Sequence, residues 1–466
     1  MRRLLSFPFL VVAAAFGCGG VDGPAPPRLI MGGGVGDGAI SGTLYVHVTD
    51  EETREVISSA KVRVGESSDP AACEVLTDST GLAKFQPDSC PGLAGAVTVT
   101  IIASGYPPVT WIGVNGVNLT IPIRNSNPPA VQTATVSGTI AGWSSLPTPG
   151  ANHQTLAVIG YSGSTNLGDR ANELTQGMRN VTVGAQVFPI PSNLCVINQA
   201  VSDCDWILTT RTGPQALVAI IVDEFNGNTP DDKTDDTYMV TGYAIKTGQN
   251  FSKDQPTNGM TLDMIVEADM QPFTASFASL PSGMDFMGAF PALELGAEGR
   301  IAFTTPVLDM ARTSTRVPKL SGALAGAHYS LIAVAQDSET QDSPSTLAWM
   351  HDVNVSSTVA LSSWLPPPSN ILATGGTYSF SAVSGATLHG GEIQDMTGKR
   401  LWSITIFDGS TSFTLPGLSP DPLPVGMLTF GASALRIPGI SLGNVALDDA
   451  GDKITGISND FVTFTH

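Results

Sequence analysis

Gly42-Thr43-Leu44-Tyr45-Val46-His47-Val48 alternates apolar and polar side chains over its whole length. Successive side chains of an extended chain point to opposite faces, so this alternation predicts a β-strand with one face in a core. Residues 61–64 (KVRV) and 97–101 (VTVTI) show the same alternation. The region from residue 40 to residue 124 is therefore predicted to consist of short strands, each buried on one face.

A turn is predicted between two of these strands, where residues 77–85 read TDSTGLAKF. The Asp78 carboxylate can accept hydrogen bonds from nearby backbone N–H groups, and Gly81 can adopt a positive φ. The chain is expected to reverse here and to enter the next strand with Phe85 in the core.

Three stretches of this region together resemble a known family. Residues 56–64 (VISSAKVRV), the turn at 77–85 and residues 103–106 (ASGY) are similar to the carboxypeptidase regulatory-like domain, which has a transthyretin-type fold. The sequence departs from that family at Ser58 and Ser59, where the family prefers Pro or Gly, and in the inserted residues 67–74 (SSDPAACE). The resemblance implies an accessory or binding β-sandwich without catalytic residues. A generic seven-strand sandwich is the alternative.

Composition extends the β prediction to the rest of the chain. The 466 residues include 50 glycines and 33 prolines, and only 14% are charged. Glycine and proline are the poorest helix formers, and the abundant Val and Thr suit a pleated surface. We predict an all-β protein made of tandem Ig-like or transthyretin-like β-sandwich domains.

Domain limits are predicted from turns and short recurring phrases. A proline-containing linker, residues 125–129 (NSNPP), follows the first sandwich. The phrases WSSLP at 143–147, FASLP at 277–281 and SWLP at 363–366 are interpreted as the first turn of three later sandwiches. The predicted segments are residues 39–125, 130–270, 271–355 and 356–466, called the first, second, third and fourth segments below.

The amino terminus has the features of a secretion signal. Arg2 and Arg3 precede an apolar run at residues 4–16, which is too short for a lasting membrane span. The following Gly17-Cys18 resembles the lipobox of bacterial lipoproteins, although Ala15 and Phe16 depart from its usual pattern. That resemblance implies cleavage after residue 17, acylation of Cys18 and a flexible tether over residues 18–38. The alternative is an ordinary signal peptide that leaves Cys18 as a spare thiol.

The other four cysteines are predicted to form two disulfides, because each pair lies within one predicted domain. The pairs are Cys73 with Cys90 and Cys195 with Cys204. A zinc site is the competing interpretation, but these offsets do not match the C-x-x-C spacing of zinc ligands.

A formal net charge of −19 argues against nucleic acid as a partner, because phosphate contacts need clustered Lys and Arg. Attachment to a membrane is therefore expected through N-terminal acyl chains and not through the protein face. Gly19, after the lipidated cysteine, points to the outer membrane or cell surface if the sorting habit of many diderm lipoproteins applies.

Calcium is the one metal that the sequence suggests, at the acidic residues 223–236. This stretch holds six carboxylates and one lysine between two predicted strands, and the candidate ligands are Asp223, Asn226, Asn228, Asp231 and Asp235. Ca²⁺ prefers six to eight oxygen ligands on a flexible backbone. The spacing does not fit an EF-hand, and a solvated acidic loop is the alternative.

No catalytic residues are predicted. Residues 160–164 (GYSGS) lack the second glycine of the G-x-S-x-G motif, and no H-E-x-x-H, P-loop or dinucleotide motif occurs. Exposed Trp side chains could stack on sugars, with Trp111, Trp143, Trp364 and Trp402 as candidates, although core positions are the expected alternative. We predict a non-enzymatic, lipid-anchored envelope protein that serves in binding, adhesion or scaffolding, with a glycan or envelope protein as partner. The alternative is a secreted enzyme that degrades polysaccharide or peptide, or its accessory module, because paired carboxylates need no sequence signature.

Overall fold

The computed structural model describes residues 39–51, 53, 55–66, 73–126, 131–163, 176–183, 186–227, 236–265, 267–303, 308–339, 343–439, 444–446 and 453–466. Strands predominate, so the predicted all-β fold is confirmed. Helical segments among these residues are short 3₁₀ turns at Trp143–Ser145, Glu267–Asp269, Gly296–Glu298 and Gly322–Leu324. The predicted signal peptide, Cys18 and the tether lie outside the described residues.

The first segment forms two layers of strands. Strands β1 to β7 are Leu44–Asp50, Lys61–Val64, Cys73–Leu76, Leu82–Phe85, Val97–Ile102, Val109–Val114 and Asn118–Ile123. Strand β1 pairs antiparallel with β4 and parallel with β7, while β2 lies between β3 and β5, and β5 pairs with β6. Leu44, Val46 and Val48 are fully buried between the layers, as the alternation predicted, but the opposite face of β1 is buried too, at Tyr45 and His47.

The predicted turn before β4 is present. The Asp78 Oδ1 atom accepts hydrogen bonds from the backbone N–H groups of Thr80, at 2.8 Å, and Leu82, at 3.1 Å. Gly81 has a φ of 75°. A Cβ atom at Gly81 would lie 2.8 Å from the Val48 carbonyl oxygen, so both the conformation and the close approach require glycine. Phe85 is fully buried, as predicted.

The second segment is a sandwich of a six-stranded and a three-stranded sheet with an added hairpin. Strands β8 to β18 are Thr133–Ile140, His153–Tyr161, Met178–Val183, Gln186–Pro191, Leu194–Ile197, Ser202–Asp203, Trp206–Arg211, Gly213–Phe225, Thr237–Phe251, Thr257–Leu262 and Met264–Ile265. The sheet orders are β13-β12-β9-β15-β16-β18 and β14-β8-β17. Residues 181–188 had the pattern of a single strand, but their two ends belong to the antiparallel hairpin β10–β11. Gly184 interrupts that stretch, which favours a reversal of the chain.

The third and fourth segments supply the remaining strands. Strands β19 to β25 are Met270–Phe277, Phe286–Glu294, Arg300–Ala302, Ser314–Pro318, His328–Gln336, Ser345–Val353 and Val359–Leu361. Strands β26 to β33 are Ser369–Thr374, Thr377–Ser381, Leu388–Asp395, Arg400–Ile406, Ser412–Thr414, Met427–Arg436, Asn444–Ala446 and Gly456–Thr465.

One twelve-stranded sheet connects three of the four predicted segments. Its order is β21-β20-β23-β24-β33-β31-β28-β29-β6-β5-β2-β3. Strands β24 and β33 pair antiparallel across the border between the third and fourth segments, and β29 pairs parallel with β6 of the first segment. Strand β32 in turn pairs parallel with β7. Hydrogen-bonded sheets thus continue across the predicted domain limits, which themselves remain a prediction.

The hydrophobic cores follow the predicted segments more closely than the sheets do. Four large clusters of buried side chains lie chiefly within residues 40–123, 134–262, 270–364 and 378–430. Some side chains pack in the core of a different segment. Ile112 of the first segment packs in the core of the fourth, and Tyr243 of the second packs in the core of the third. The segments are therefore packed against one another as well as linked.

Both predicted disulfides are present. Cys73 is bonded to Cys90, and Cys195 is bonded to Cys204. By the chain-entropy model, closing loops of this length stabilises the folded state by about 3 kcal/mol each. Within the part of the chain that the structure describes, no helix has the length and apolar character of a membrane span.

Candidate functional site

Of the acidic stretch singled out in the sequence, the described residues 223–227 and 236 lie at the end of strand β15 and immediately before strand β16. The Asp223 Oδ2 atom is 2.9 Å from His153 Nδ1, and the Gln154 side chain donates a 2.7 Å hydrogen bond to Glu224 Oε2. The backbone N–H of Asn226 donates to the Asn152 carbonyl oxygen at 3.0 Å. The Asp223 carboxylate is thus paired with a histidine on the neighbouring strand β9.

The structure leaves the calcium hypothesis untested. Three of the five candidate ligands, Asn228, Asp231 and Asp235, lie outside the described residues. Among the residues that are described, no three His, Cys, Asp or Glu side chains are placed to hold a metal ion. Calcium binding by this loop therefore remains a prediction from the sequence.

Ser162, the serine of the incomplete elbow motif, has a structural role. It is fully buried, and its hydroxyl donates a hydrogen bond to the Glu298 carbonyl oxygen while accepting one from the Ala216 backbone N–H at 2.9 Å. A hydroxyl held by two backbone groups and shielded from solvent cannot reach a substrate. Ser162 is therefore not placed to act as a nucleophile.

The tryptophans occupy core positions, as expected, and do not form a sugar-stacking surface. All six Trp side chains are buried, with 0–7% of their surface exposed: Trp111, Trp143, Trp206, Trp349, Trp364 and Trp402. Large aromatic rings contribute most to these cores because they bury more apolar area than other side chains. A sugar-binding surface on this protein would therefore have to use side chains other than tryptophan.

A group of mostly polar residues lies on four neighbouring strands of the fourth segment. The cross-strand partners Thr463, Thr429, Gln394 and Arg400 form one row over β33, β31, β28 and β29, and Phe461, Gly431 and Glu392 form the next row. Directly paired residues of a regular ladder project from the same face. Arg400 follows a β-bulge in this pairing, and its contact with Glu392 places it beside the row. We call these seven residues the polar platform. Phe461 is 40% exposed and Thr463 is also exposed, while Glu392 and its partner Ser403 on β29 are buried.

A tight turn between β28 and β29 brings together the two charged residues of the platform, Glu392 and Arg400. Between β28 and β29, the Asp395 Oδ1 atom accepts hydrogen bonds from the backbone N–H groups of Thr397 and Lys399 at 2.8 and 3.0 Å, and Gly398 has a φ of 82°. A hydrogen bond from the Thr397 hydroxyl, with these backbone bonds, lowers the pKa of Asp395 below its ordinary value. This ionised carboxylate closes the hairpin that places Arg400 beside Glu392.

Arg400 is the electrostatic centre of the platform. Its Nε atom is 3.0 Å from Glu392 Oε2, and Gln394 donates a 2.8 Å hydrogen bond to Glu392 Oε1. Burial by itself would lower the pKa of Arg400, but the negative charges of Glu392 and of Glu51 at the end of β1 outweigh it, so the pKa is raised. Arg400 is therefore charged and is balanced by carboxylates from two segments.

This arrangement is suited to binding more than to hydrolysis. A glycosidase needs one carboxyl group that can donate a proton and a second that acts as nucleophile or base. Both Glu392 oxygens are engaged, one by the Arg400 guanidinium and one by the Gln394 amide. The surface offers fixed hydrogen-bonding groups beside one exposed aromatic ring.

No platform residue was predicted from the sequence to be a functional residue. Alternation in residues 388–395 and 400–406 and the turn between them indicate a hairpin, but the partners in β31 and β33 are separated from it by up to about 70 residues. Cross-strand neighbours at that distance depend on the order of strands in the sheet. No pattern among neighbouring residues identifies these cross-strand partners.

Comparisons with known proteins identify no family. No family model matches the sequence, and no curated protein matches it. Among solved structures, the chain matches the Bacillus anthracis TIE protein with 8% identity over 69% of this chain and 50% of that chain, at a TM-score of 0.14. The chain thus spans half the length of that protein.

Two further matches are equally distant. A proposed carbohydrate-binding protein of Bacteroides uniformis has 9% identity over 44% of this chain and 98% of its own, at a TM-score of 0.15. A Ca²⁺-stabilized adhesin that helps an Antarctic bacterium bind ice has 11% identity over 92% of this chain and 99% of its own, at a TM-score of 0.13. TM-scores of this size do not establish a shared fold.

Proposed function

We propose that this protein is a lipid-anchored, non-enzymatic binding protein of the bacterial outer membrane or cell surface. The acyl chains on Cys18 attach it to the membrane, and the β-sandwich body presents a binding surface to a glycan or envelope protein. The function belongs to adhesion or to the organisation of the envelope.

The observation that carries this proposal is the polar platform. Its seven residues form two rows across four strands, and these rows combine polar side chains with the 40% exposed ring of Phe461. Gln394 and Arg400 are held in place by bonds to Glu392, so they need little ordering when a ligand arrives. Preorganised polar groups beside an aromatic ring are typical of a recognition surface.

Two other features support a location outside the cytoplasm. The signal-type sequence at residues 1–17 ends at Cys18. Two disulfides in one chain are expected where thiols are oxidised.

The test combines attachment and binding. The full-length protein, expressed in a diderm bacterium, should incorporate labelled palmitate, and the Cys18→Ser variant should not. Soluble residues 19–466 should capture envelope polysaccharide or protein, and an Arg400→Ala variant that remains folded should capture less. Equal palmitate labelling of both forms would refute the anchor. Turnover of a polysaccharide or peptide by the purified protein would refute the non-enzymatic function.

A further inference from the structure

We infer that the polar platform binds an uncharged oligosaccharide, with one sugar ring over Gly431 between the Phe461 ring and the Glu392–Arg400 pair. This inference rests on the proposed binding function and specifies its site and ligand class.

The position of the sugar ring follows from the row Phe461, Gly431 and Glu392. Gly431 is the middle residue and has no side chain, so the row has a shallow depression at its centre. A Cβ atom built at Gly431 would have the Glu392 carbonyl oxygen, at 3.9 Å, as its nearest neighbour. No side chain of the described residues, apart from the two chain neighbours of Gly431, lies within 4 Å of that position. With strands about 4.8 Å apart, the row spans about 10 Å from β33 to β28.

The chemical groups around this depression match the two kinds of surface on a sugar ring. Phe461, which is 40% exposed, can pack against the apolar C–H face of a pyranose. On the opposite side, the amide of Gln394 can bond to hydroxyl groups as donor or acceptor, while the Arg400 side chain is 14% exposed and presents only a small part of its guanidinium.

Charge balance excludes an acidic ligand. The one cation of the platform, Arg400, is neutralised by Glu392 at 3.0 Å and by the nearby charge of Glu51. The whole chain has a formal net charge of −19. A sulfated, phosphorylated or uronic-acid ligand would meet a site without excess positive charge on a strongly negative protein. Neutral hydroxyl groups do not experience this repulsion.

A second row indicates that the ligand has more than one sugar unit. Thr463, Thr429 and Gln394 lie two residues along their strands from the first row, which corresponds to about 7 Å. Their hydroxyl and amide groups continue the hydrogen-bonding surface from the depression toward the exposed end of the sheet. An oligosaccharide can contact both rows, whereas a single monosaccharide can contact only one.

The experiment is a binding measurement of the full chain in detergent on immobilised neutral oligosaccharides of two to six units, with sulfated and sialylated counterparts. The decisive variant is Gly431→Val, which fills the depression and adds a strand-favouring side chain. We expect binding of the neutral oligosaccharides to weaken by about tenfold or more, with an unchanged melting temperature. The matched control is Gly160→Val in strand β9 of the second segment, where a new Cβ would have its nearest contact at 3.8 Å. This control should bind like the wild type.

Phe461→Ala provides an independent variant, because truncation of a 40% exposed ring is unlike filling a depression. It should also weaken binding about tenfold. Unchanged binding in both platform variants, or a preference for acidic glycans, would overturn the inference. If the chain binds no neutral glycan but still captures an envelope protein through the platform, the ligand class is wrong and the proposed binding function stands. Failure to capture any envelope component would refute both.

Discussion

Arg400 stands between carboxylates that belong to different parts of the chain, and this position predicts a large effect on stability. Replacement by Met leaves Glu392, which is 5% exposed, without its ion pair. Removing one partner of a buried ion pair costs about 3 to 5 kcal/mol because the remaining charge stays desolvated. We expect Arg400→Met to lower the free energy of unfolding by this amount in urea titrations.

The exposed pair of Arg316 with Glu267 is the control for this prediction. Its side chains are 50% and 75% exposed. Ion pairs in contact with water contribute about 0 to 1 kcal/mol, so Arg316→Met should have a small effect. Similar losses for both variants would mean that Glu392 is not left desolvated and unpaired when Arg400 is replaced.

His389 predicts a pH dependence of stability. Its Nε2 atom accepts a 3.1 Å hydrogen bond from the Val383 backbone N–H, and burial lowers the pKa of His389 below 6.5. The unfolded chain therefore binds a proton at a higher pH than the folded chain does. The free energy of unfolding should be highest above about pH 6.5 and should fall as the pH decreases below it.

The measurement compares urea unfolding between pH 8 and pH 5 for the wild type and His389→Gln. The Gln amide oxygen can accept the Val383 hydrogen bond but does not titrate in this range. The variant should therefore lose less stability than the wild type on acidification. An identical pH profile would show that His389 is not responsible.

At the scale of elements, Gly138 determines how closely β8 and β17 approach each other. A Cβ atom at this position would lie 1.9 Å from the backbone carbonyl oxygen of Met260, the residue paired with it on β17. Backbone atoms cannot move aside as a flexible side chain can, so the parallel strands would have to separate. We expect Gly138→Ala to destabilise the protein by about 1 to 3 kcal/mol in thermal unfolding. Gly160→Ala on β9 should change stability by less than about 0.5 kcal/mol, and equal effects would contradict the close approach.

Elements were predictable from the sequence where their signals are local. The alternation in β1, the turn held by Asp78 and Gly81, and the two short-range disulfides each depend on residues within about 20 positions of one another. The hairpin β10–β11 was missed because its apolar pattern continues through a reversal that periodicity does not register.

At the scale of the whole molecule, the first segment depends on the fourth. Its strand β6 pairs with β29, its strand β7 pairs with β32, and its core includes Leu388, Phe407 and Leu435. Residues 39–126 expressed alone would expose the edges of two strands and part of an apolar core. We expect this fragment to melt at a lower temperature than the full chain and to self-associate in size-exclusion chromatography. A monomeric fragment that melts at the same temperature as this region of the full chain would show that the segment is independent.

The sequence by itself determined the all-β class, the tight turns and the cysteine pairs, because strand alternation, glycine conformations and short loops are properties of neighbouring residues. Only the tertiary structure decided that one sheet runs through three predicted segments, that every tryptophan is buried and that Arg400, Gly431 and Phe461 share a surface. These features depend on which distant strands pair and in what register. Pairing between distant strands is selected by packing of the whole chain, and a one-residue change of register would move each of these side chains to the opposite face.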